Sequence, residues 1–366
     1  MTTDLAIFLP SLGGGGAEKV MLSLAGEFAS RGIRTDIVIA MSGGSLMKDL
    51  PSTVNLVELG HRKTTAATLS LARYLRRSKP RTLLPTVFSC NVTALAAHAI
   101  SGVPTRIVPR EASPTERDVI ASSRVGTMAN IAAARLLYRR ADAAIAISEG
   151  VRKSLAKFHW LSRAKIHVIP NPLPASATGS HDPPRQGRPV IVACGRLEPQ
   201  KDYPTLLKAF ALLRRTMDVE LSILGEGFLH ESLAALAEEL GVGGDVVFHG
   251  FQSDPYAYFQ RASLFAHTAR YEGFGVVFLE AMACGCPIVA TDCEGGVREV
   301  LDNGRFGSLV PVGNVQGFAT AMEDVLTGKV KLDDPRTHLR KYSLESIADA
   351  YLKVLFPDNP EPSIAP

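Results

Sequence analysis

Residues 264–292 read LFAHTARYEGFGVVFLEAMACGCPIVATD. The apolar, β-rich run at 264–267 predicts a strand, and a glycine-rich loop follows it. Residues 276–283 have the apolar composition of a packed helix, and residues 288–291 predict another buried strand. A strand, a loop, a helix and a second strand in this order are typical of a parallel sheet covered by helices.

The same alternation runs along the whole chain and indicates an α/β protein built from parallel sheets that are buried on both faces. Before residue 173 the predicted strands are Leu5–Leu9, Asp36–Ala40, Leu83–Phe88, Arg106–Val108, Ala143–Ile147 and Ile166–Ile169. After residue 189 they are Val190–Cys194, Glu220–Leu224, Val246–Phe248, Leu264–His267 and Ile288–Thr291.

Proline, serine and glycine interrupt this alternation near its middle, in a segment with the composition of a linker. We therefore predict a Rossmann-like domain over residues 1–173, a linker over 174–189 and a second Rossmann-like domain over 190–342. A helix and tail over 343–366 complete the chain. Two doubly wound domains leave a cleft at the carboxyl ends of their strands, where such folds bind ligands.

Composition excludes several classes of protein. With 366 residues, 46% of them hydrophobic and 21% charged, the chain resembles a globular protein and not a disordered or fibrous one. No apolar stretch reaches the ~18 residues of a membrane span, and the N-terminal run is too short for a signal peptide. Five cysteines without a zinc-binding spacing indicate reduced thiols, so we expect a cytoplasmic protein.

Charge is divided unequally along the sequence. Residues 1–173 hold 23 Lys and Arg against 11 Asp and Glu (+12), whereas residues 174–366 hold 17 against 25 (−8). Two interpretations of the basic half stay open. Its charges belong to ordinary solvated helix faces, or they attract anionic lipid headgroups or a phosphate-bearing acceptor. Attraction to lipid would make the protein peripheral on the inner face of the membrane. Nucleic acid is not expected as a partner, because aromatic residues do not interleave with the basic clusters.

The first candidate site is the run Gly13-Gly14-Gly15-Gly16-Ala17-Glu18-Lys19, between the first strand and the first helix. Glycines let backbone amides approach a ligand, and a helix N-terminus favours anions. The run fits neither a dinucleotide fingerprint, because its spacing differs, nor a P-loop, because Lys19 does not follow glycine. We predict contact with a ligand in preference to a plain turn.

The second candidate site is Gly195-Arg196-Leu197-Glu198-Pro199-Gln200-Lys201, after the first strand of the second domain. Arg196 and Lys201 supply two cations at the carboxyl end of a strand, and such a pair can hold a diphosphate. An exposed turn is the alternative interpretation.

The third candidate site contains two carboxylates, Glu272 and Glu280, with a Gly-Phe-Gly step between them. Glu272 falls on a loop and Glu280 in the helix after it. Carboxylates accept hydrogen bonds from vicinal hydroxyls, which suits a sugar and a ribose. The competing hypothesis is the acid/base pair of a glycosidase, but such a pair would not need a cradle for a nucleotide.

Together these motifs resemble the signature of glycosyltransferase family 4, the retaining group 1 enzymes of the GT-B fold. The resemblance rests on the Glu-x7-Glu block within 265–292 and covers nearly the whole chain. The other motifs follow in the family's order: Gly-Gly-Ala-Glu (15–18), Ile-Pro-Asn-Pro (169–172), Gly-Arg-Leu-x3-Lys (195–201), Leu-Gly-Glu-Gly (224–227) and Phe-His-Gly-Phe (248–251).

The resemblance implies a role for each matching residue. Glu272 would bind the hydroxyls of the donor sugar, aided by the amides of Phe274 and Gly275. Glu280 would bind the ribose. Arg196 and Lys201 would hold the diphosphate. Gly15 and Gly16 would approach its phosphates from the first domain, and Gly250 and Phe251 would line the base.

The resemblance also implies the protein's partners. The donor would be a nucleotide diphosphate sugar carrying a hexose or N-acetylhexosamine, and the acceptor a glycan or a polyprenyl-diphosphate-linked saccharide. No metal or other cofactor is expected, and the C-terminal helix would cross back to the first domain.

One segment departs from the family pattern. Many family members carry a histidine after the fourth strand of the first domain, whereas here residues 108–113 read Val-Pro-Arg-Glu-Ala-Ser. Arg110 or Glu111 is therefore expected to face the sugar or the acceptor. Two alternatives to a glycosyltransferase stay open: a nucleotide-sugar epimerase of the same fold, and a noncatalytic relative that binds the nucleotide sugar.

Overall fold

The computed structural model describes residues 3–114, 134–159, 161–174, 187–252 and 254–358. The chain divides into two compact units. The first unit comprises Met1–Pro172 and Tyr342–Pro366, and the second comprises Leu173–Lys341. Most of the linker predicted at 174–189 lies outside the described residues. No helix among the described residues is long and apolar enough to cross a membrane.

The first unit is built on a five-stranded parallel sheet in the order β3-β2-β1-β4-β5, and β6, β7 and β8 form a separate parallel sheet. The strands are β1 Leu5–Leu9, β2 Thr35–Ile39, β3 Asn55–Glu58, β4 Thr82–Pro85, β5 Arg106–Ile107, β6 Arg110–Glu111, β7 Ala144–Ala146 and β8 Ile166–Val168. The helices are α1 Gly16–Ser30, α2 Thr68–Ser78, α3 Phe88–Ser101 and α4 Glu149–His159. Every residue of the central β1 is buried, as expected for a strand covered on both faces.

The second unit contains a six-stranded parallel sheet in the order β11-β10-β9-β12-β14-β16, and β13 pairs with β15 beside it. The strands are β9 Val190–Cys194, β10 Glu220–Leu224, β11 Val246–Gly250, β12 Leu264–His267, β13 Tyr271–Glu272, β14 Ile288–Thr291, β15 Glu294–Gly295 and β16 Ser308–Val310. The helices are α5 Tyr203–Leu213, α6 His230–Glu239, α7 Tyr256–Arg261, α8 Val276–Ala283, α9 Val297–Val300, α10 Val315–Leu326 and α11 Arg336–Leu339.

The last helix, α12 Leu344–Leu355, returns to the first unit and packs on α1. The Arg31 guanidinium pairs with Asp349, and the rings of Phe28 and Tyr351 lie with their centroids 6.3 Å apart. The architecture is thus α/β with two Rossmann-like units and a C-terminal crossover, as the sequence predicted.

Two differences from the predicted strands have local physical causes. The strand predicted at Leu83–Phe88 ends at Pro85, because Val87 has φ +66° and Phe88 already begins α3. The edge strand β3 was missed because its first and last residues, Asn55 and Glu58, are polar and exposed. A run of this kind lacks the apolar pattern of the buried strands.

Candidate active site

The candidate site of the second unit lies where the strands of its sheet end. β9 and β12 are parallel neighbours, so their carboxyl ends lie at one edge of the sheet. The loop 195–201 follows β9, and the loop 268–275 follows β12. Two segments that are far apart in the sequence therefore meet at this edge.

The loops after β9 and β10 are packed backbone against backbone. The N–H of Gly195 donates to the carbonyl of Leu224 (2.9 Å), and the N–H of Leu197 donates to that of Glu226 (2.8 Å). Gly225 has φ +139°, and a Cβ built on it would lie 2.0 Å from the carbonyl oxygen of Gly195. Only glycine fits this crossing. The Leu-Gly-Glu-Gly motif thereby positions the loop that carries the two predicted cations.

Lys201 and Glu272 form a mostly buried ion pair. The Lys201 ammonium donates to Glu272 Oε2, and the two side chains are 15% and 14% exposed. Burial alone would raise the pKa of Glu272, but the Lys201 ammonium, together with His267, brings that pKa well below its ordinary range. Glu272 is therefore ionised at neutral pH and can only accept hydrogen bonds.

Hydrogen bonds that involve the backbone hold Lys201 beside the loop after β12. The Thr268 hydroxyl donates to the Lys201 carbonyl (3.0 Å), and the Gln200 side-chain amide donates to the Tyr271 carbonyl (3.0 Å). The N–H of Arg270 donates to the Gln200 carbonyl (2.8 Å). The two loops that carry Lys201 and Glu272 are thus joined by hydrogen bonds other than the ion pair itself.

The backbone of Glu272 is held from the other side by β15. The N–H of Gly296 donates to the Glu272 carbonyl (3.1 Å), and Glu272 is paired with Gly295 in the parallel bridge of β13 and β15. A Cβ at Gly295, where φ is +124°, would lie 1.5 Å from the same carbonyl oxygen. Glycine at this position allows the close approach that places Glu272.

Glu280 lies one turn into α8 and is half-buried. The Tyr256 hydroxyl donates to Glu280 Oε1 (3.2 Å). The helix begins directly after Gly275, so its free N–H groups point toward the loop that bears Glu272. Phe274 as a whole is 1% exposed, so its ring packs in the interior and does not face a ligand.

Arg196 and Phe251 occupy open positions at the same edge of the sheet. The Arg196 side chain is 70% exposed and pairs with Glu198 at 3.0 Å. Phe251 is 59% exposed, and its N–H donates to Glu226 Oε1 at 3.4 Å. Gly250 precedes it and accepts a hydrogen bond from the loop after β10. These residues follow β9 and β11, whose ends flank that of β10.

Gly15 and Gly16 lie in the first unit at the start of α1. A Cβ built on Gly15 would lie 2.2 Å from Glu18 Oε2, whereas nothing lies within 4 Å of one built on Gly16. The Glu18 carboxylate therefore folds back over Gly15, in the first turn, where the helix dipole favours an anion. In the sequence Glu18 is only a member of the Gly-Gly-Ala-Glu motif, and its contact with Gly15 is visible only in the structure.

The sequence led us to expect that Arg110 faces the sugar or the acceptor. The structure differs, because the Arg110 side chain is completely buried in the first unit. Its Nε donates to the Tyr351 hydroxyl (2.8 Å), its Nη1 to Thr86 Oγ1 (2.7 Å) and its Nη2 to Asn171 Oδ1 (2.5 Å). Arg110 thus joins β6 to the C-terminal helix and to the Ile-Pro-Asn-Pro motif.

Glu111 is also completely buried, which corrects the same expectation for this residue. Its Oε1 accepts hydrogen bonds from Asn91 Nδ2 (3.0 Å) and from the Tyr138 hydroxyl. Two neutral donors on neighbouring helical segments therefore bind one oxygen of this carboxylate, which holds the end of β6 against those segments.

His267 is the neighbour of Glu272 that sequence reasoning missed. It is the last residue of β12, is 4% exposed, and has its Nε2 3.4 Å from Glu272 Oε2. Burial lowers the pKa of His267, and the Lys201 ammonium lowers it further, so the ring is neutral at pH 7. The available signal was a polar residue at the end of an otherwise apolar strand.

Two family models match the chain in succession. Residues 14–176 match the model described as Glycosyltransferase Family 4, and residues 181–345 match the one described as Glycosyl transferases group 1. The second match contains Lys201, Glu272 and Glu280. The chain belongs to glycosyltransferase family 4.

One curated relative aligns with this family 4 enzyme along nearly all of both chains. It is the N-acetylgalactosamine-N,N'-diacetylbacillosaminyl-diphospho-undecaprenol 4-alpha-N-acetylgalactosaminyltransferase of Campylobacter jejuni. The two are 28% identical over 96% of this chain and 99% of the relative.

Solved structures show the same fold. The apo form of the lipopolysaccharide outer core galactosyltransferase WaaB has a TM-score of 0.78 and 21% identity, over 98% of this chain and all of that chain. HepE of Anabaena, solved in complex with UDP-glucose, has a TM-score of 0.78 and 19% identity, over 96% of this chain and 99% of that chain. The family 4 enzyme thus has the GT-B fold.

Proposed function

We propose that this family 4 enzyme transfers a hexose or N-acetylhexosamine from a uridine diphosphate sugar to a surface glycan or a polyprenyl-diphosphate-linked saccharide. Transfer retains the anomeric configuration and needs no metal. The observation that carries the proposal is the buried pair of Lys201 and Glu272, with Glu280 in the helix that follows. The UDP-glucose complex of HepE and the name of the Campylobacter jejuni relative support the choice of donor and acceptor.

The proposed donor site assigns each charge a task. Glu272 is ionised and held by its backbone, so it accepts hydrogen bonds from the sugar hydroxyls. Glu280, oriented by Tyr256, accepts hydrogen bonds from the ribose. Phe251 is exposed after β11, at the carboxyl ends of the strands, and offers an aromatic face to the base.

The proposed chemistry follows from how charge develops when the bond between sugar and phosphate breaks. The sugar ring becomes positive and the departing diphosphate becomes more negative. Lys201, Arg196 and the N-terminus of α8 stabilise the diphosphate more in the transition state than in the ground state. Loss of one such group costs about 3–4 kcal/mol of barrier by analogy with oxyanion holes. Attack by the acceptor from the side of the leaving group retains the configuration without an enzymic nucleophile.

A panel of nucleotide sugars tests the proposal. Each uridine or guanosine diphosphate sugar is supplied with chelator, and binding, slow donor hydrolysis and transfer to a lipid-linked saccharide are measured. We expect turnover of one uridine donor, and NMR of the product shows whether the configuration is retained. Conversion of the donor without acceptor would indicate an epimerase, and binding without turnover a noncatalytic protein.

Paired variants test the site itself. Glu272→Gln and Lys201→Met should each lower the transfer rate by about 100-fold or more. Asp245→Asn is the matched control. Asp245 also pairs with arginines in the second unit, but it directly precedes β11 and so lies at the amino ends of the strands, away from the candidate site. Wild-type transfer by Glu272→Gln would rule out the assigned donor site.

A basic face on α2 supports attachment to an anionic membrane surface, where a polyprenyl-linked acceptor would be found. Residues 59–110 include nine Lys and Arg and no Asp or Glu. Leu69 is 61% exposed, and Arg73 and Arg77 are exposed one and two turns further along the same face. Arg76 lies beside them but donates to the carbonyl groups at the end of α3.

Liposome sedimentation tests this attachment. The protein should sediment with vesicles of anionic lipid at low salt, and Arg73→Glu with Arg77→Glu should abolish sedimentation. The control, Lys208→Glu with Arg215→Glu, makes the same change in charge at exposed positions of the second unit. Equal loss in both double variants, or no binding by the wild type, would contradict a membrane-facing α2.

A further inference from the structure

His267 is enclosed at the end of β12, directly behind Glu272. Its ring packs edge-on against Phe278, with centroids 4.9 Å apart, and lies tilted by 41° to the ring of Phe265 at 5.9 Å. This aromatic packing restricts the plane of the imidazole, and Nε2 lies 3.4 Å from Glu272 Oε2. Within the part of the chain that the structure describes, Nε2 makes no hydrogen bond of good geometry, and Glu272 Oε2 is a polar neighbour 3.4 Å from it.

The charge state of the two groups makes their interaction directional. The Glu272 carboxylate is ionised and only accepts hydrogen bonds, whereas a neutral imidazole carries a hydrogen on one of its two nitrogens. With Nε2 protonated, a small movement of the carboxylate lets the imidazole donate to Glu272 Oε2. The opposite tautomer would place two lone pairs against each other in a buried site, which is unfavourable.

Lys201 and His267 contact the same carboxylate oxygen, and their tasks differ. In the proposed function, Lys201 also binds the diphosphate of the donor. An ammonium drawn toward phosphate weakens its bond to Glu272, and the buried carboxylate then depends on its other donor. His267 cannot be drawn away in this manner, because its ring is packed in one cluster with the rings of Phe265 and Phe278.

We propose that His267 is a positioning residue whose Nε2–H holds Glu272 Oε2, so that the rest of the carboxylate is oriented toward the hydroxyls of the donor sugar. This inference rests on the proposed function of Glu272. His267 itself touches no substrate, and acts on the reaction only through the orientation of that carboxylate.

Two substitutions separate the hydrogen bond from the packing. His267→Phe keeps a buried ring and removes the donor, while His267→Gln places an amide N–H near the position of Nε2. His338→Phe is the matched control, because it removes a histidine from a different, half-buried position of the second unit, where its Nε2 contacts the Val300 carbonyl at 2.9 Å. The measurements are kcat and KM for the nucleotide sugar, the Kd of UDP, and the melting temperature.

We expect His267→Phe to lower kcat/KM for the nucleotide sugar by about 10- to 100-fold, the factor associated with one hydrogen bond to a charged group. Its Kd for UDP should stay within about twofold of the wild type, since UDP has no sugar for Glu272 to bind. His267→Gln should recover most of the loss, and His338→Phe should match the wild type in catalysis.

Three results would overturn the inference or the function on which it rests. Wild-type kcat/KM in His267→Phe, with Glu272→Gln inactive, would overturn the role of His267 and leave the proposed function intact. Equal losses of nucleotide-sugar turnover and UDP affinity, without recovery in His267→Gln, would indicate a purely structural histidine. Full activity of Glu272→Gln would instead refute the proposed donor site.

Discussion

Replacing Gly295 with alanine should displace Glu272 and lower the transfer rate. A Cβ at this position would lie 1.5 Å from the Glu272 carbonyl oxygen, whereas unbonded carbon and oxygen atoms approach to about 3.3 Å. The two short strands must therefore separate by nearly 2 Å. The oxygen belongs to the backbone, so no rotation of a side chain can relieve the clash.

The expected size of the effect follows from this displacement. Separation of β13 and β15 weakens the hydrogen bond from the Gly296 N–H to the Glu272 carbonyl, now 3.1 Å, and moves the carboxylate with the backbone. A misplacement of about 1 Å in a site can cost on the order of 100-fold in rate. We expect kcat/KM for the nucleotide sugar to fall by at least about that factor in Gly295→Ala.

A substitution at a second glycine distinguishes the steric clash at Gly295 from the energetic cost of giving alanine a positive φ. Gly241 also has a positive φ (+71°), lies in the second unit, and would have nothing within 4 Å of an added Cβ. Gly241→Ala should therefore lose only about 1 kcal/mol of stability and keep its activity. Steady-state kinetics and thermal melting of both variants decide the question. A folded Gly295→Ala with wild-type kcat/KM would refute the reasoning.

Three further predictions follow from single contacts. Tyr351→Phe removes the hydroxyl that accepts from the buried Arg110 and should lower the free energy of unfolding by about 1.5–3 kcal/mol, measured in urea. Tyr256→Phe removes the hydrogen bond from the Tyr256 hydroxyl to Glu280 and should raise KM for the nucleotide sugar by about three- to tenfold in steady-state kinetics. The folded-state pKa of Glu272 is depressed, so its stabilising contribution is present above the ordinary value of 4.5 and is lost as the pH falls below it. Glu272→Gln should therefore flatten the fall of the melting temperature with pH in that acidic range.

Each of these predictions has its own control or contrary result. An unfolding free energy of Tyr351→Phe within about 0.5 kcal/mol of the wild type would deny the importance of that buried contact. Tyr258→Phe, on the same helix as Tyr256 but facing His249, should leave KM unchanged. An unaltered acid melting profile in Glu272→Gln would show that another group dominates the pH dependence.

Much of the fold could be predicted because the strands are short, apolar and buried on both faces. Leu5–Leu9, Val190–Cys194 and Leu264–His267 have the predicted bounds. The pairing of β13 with β15 could not be predicted, since each is only two residues long and is held by one crossing at Gly295. A strand of two residues has no periodicity to detect.

Family motifs and local order determined by themselves that the chain is a two-unit family 4 glycosyltransferase and that Lys201, Glu272 and Glu280 are its candidate charged residues. Side-chain contacts between distant segments were decided only by the tertiary structure. Arg110 looked available in the sequence but is enclosed by groups from three other segments. His267 looked like part of a strand but stands behind Glu272. The physical reason is that residue type and spacing define which groups can ionise and which can pack, whereas burial and hydrogen-bond partners depend on the parts of the chain that folding brings together.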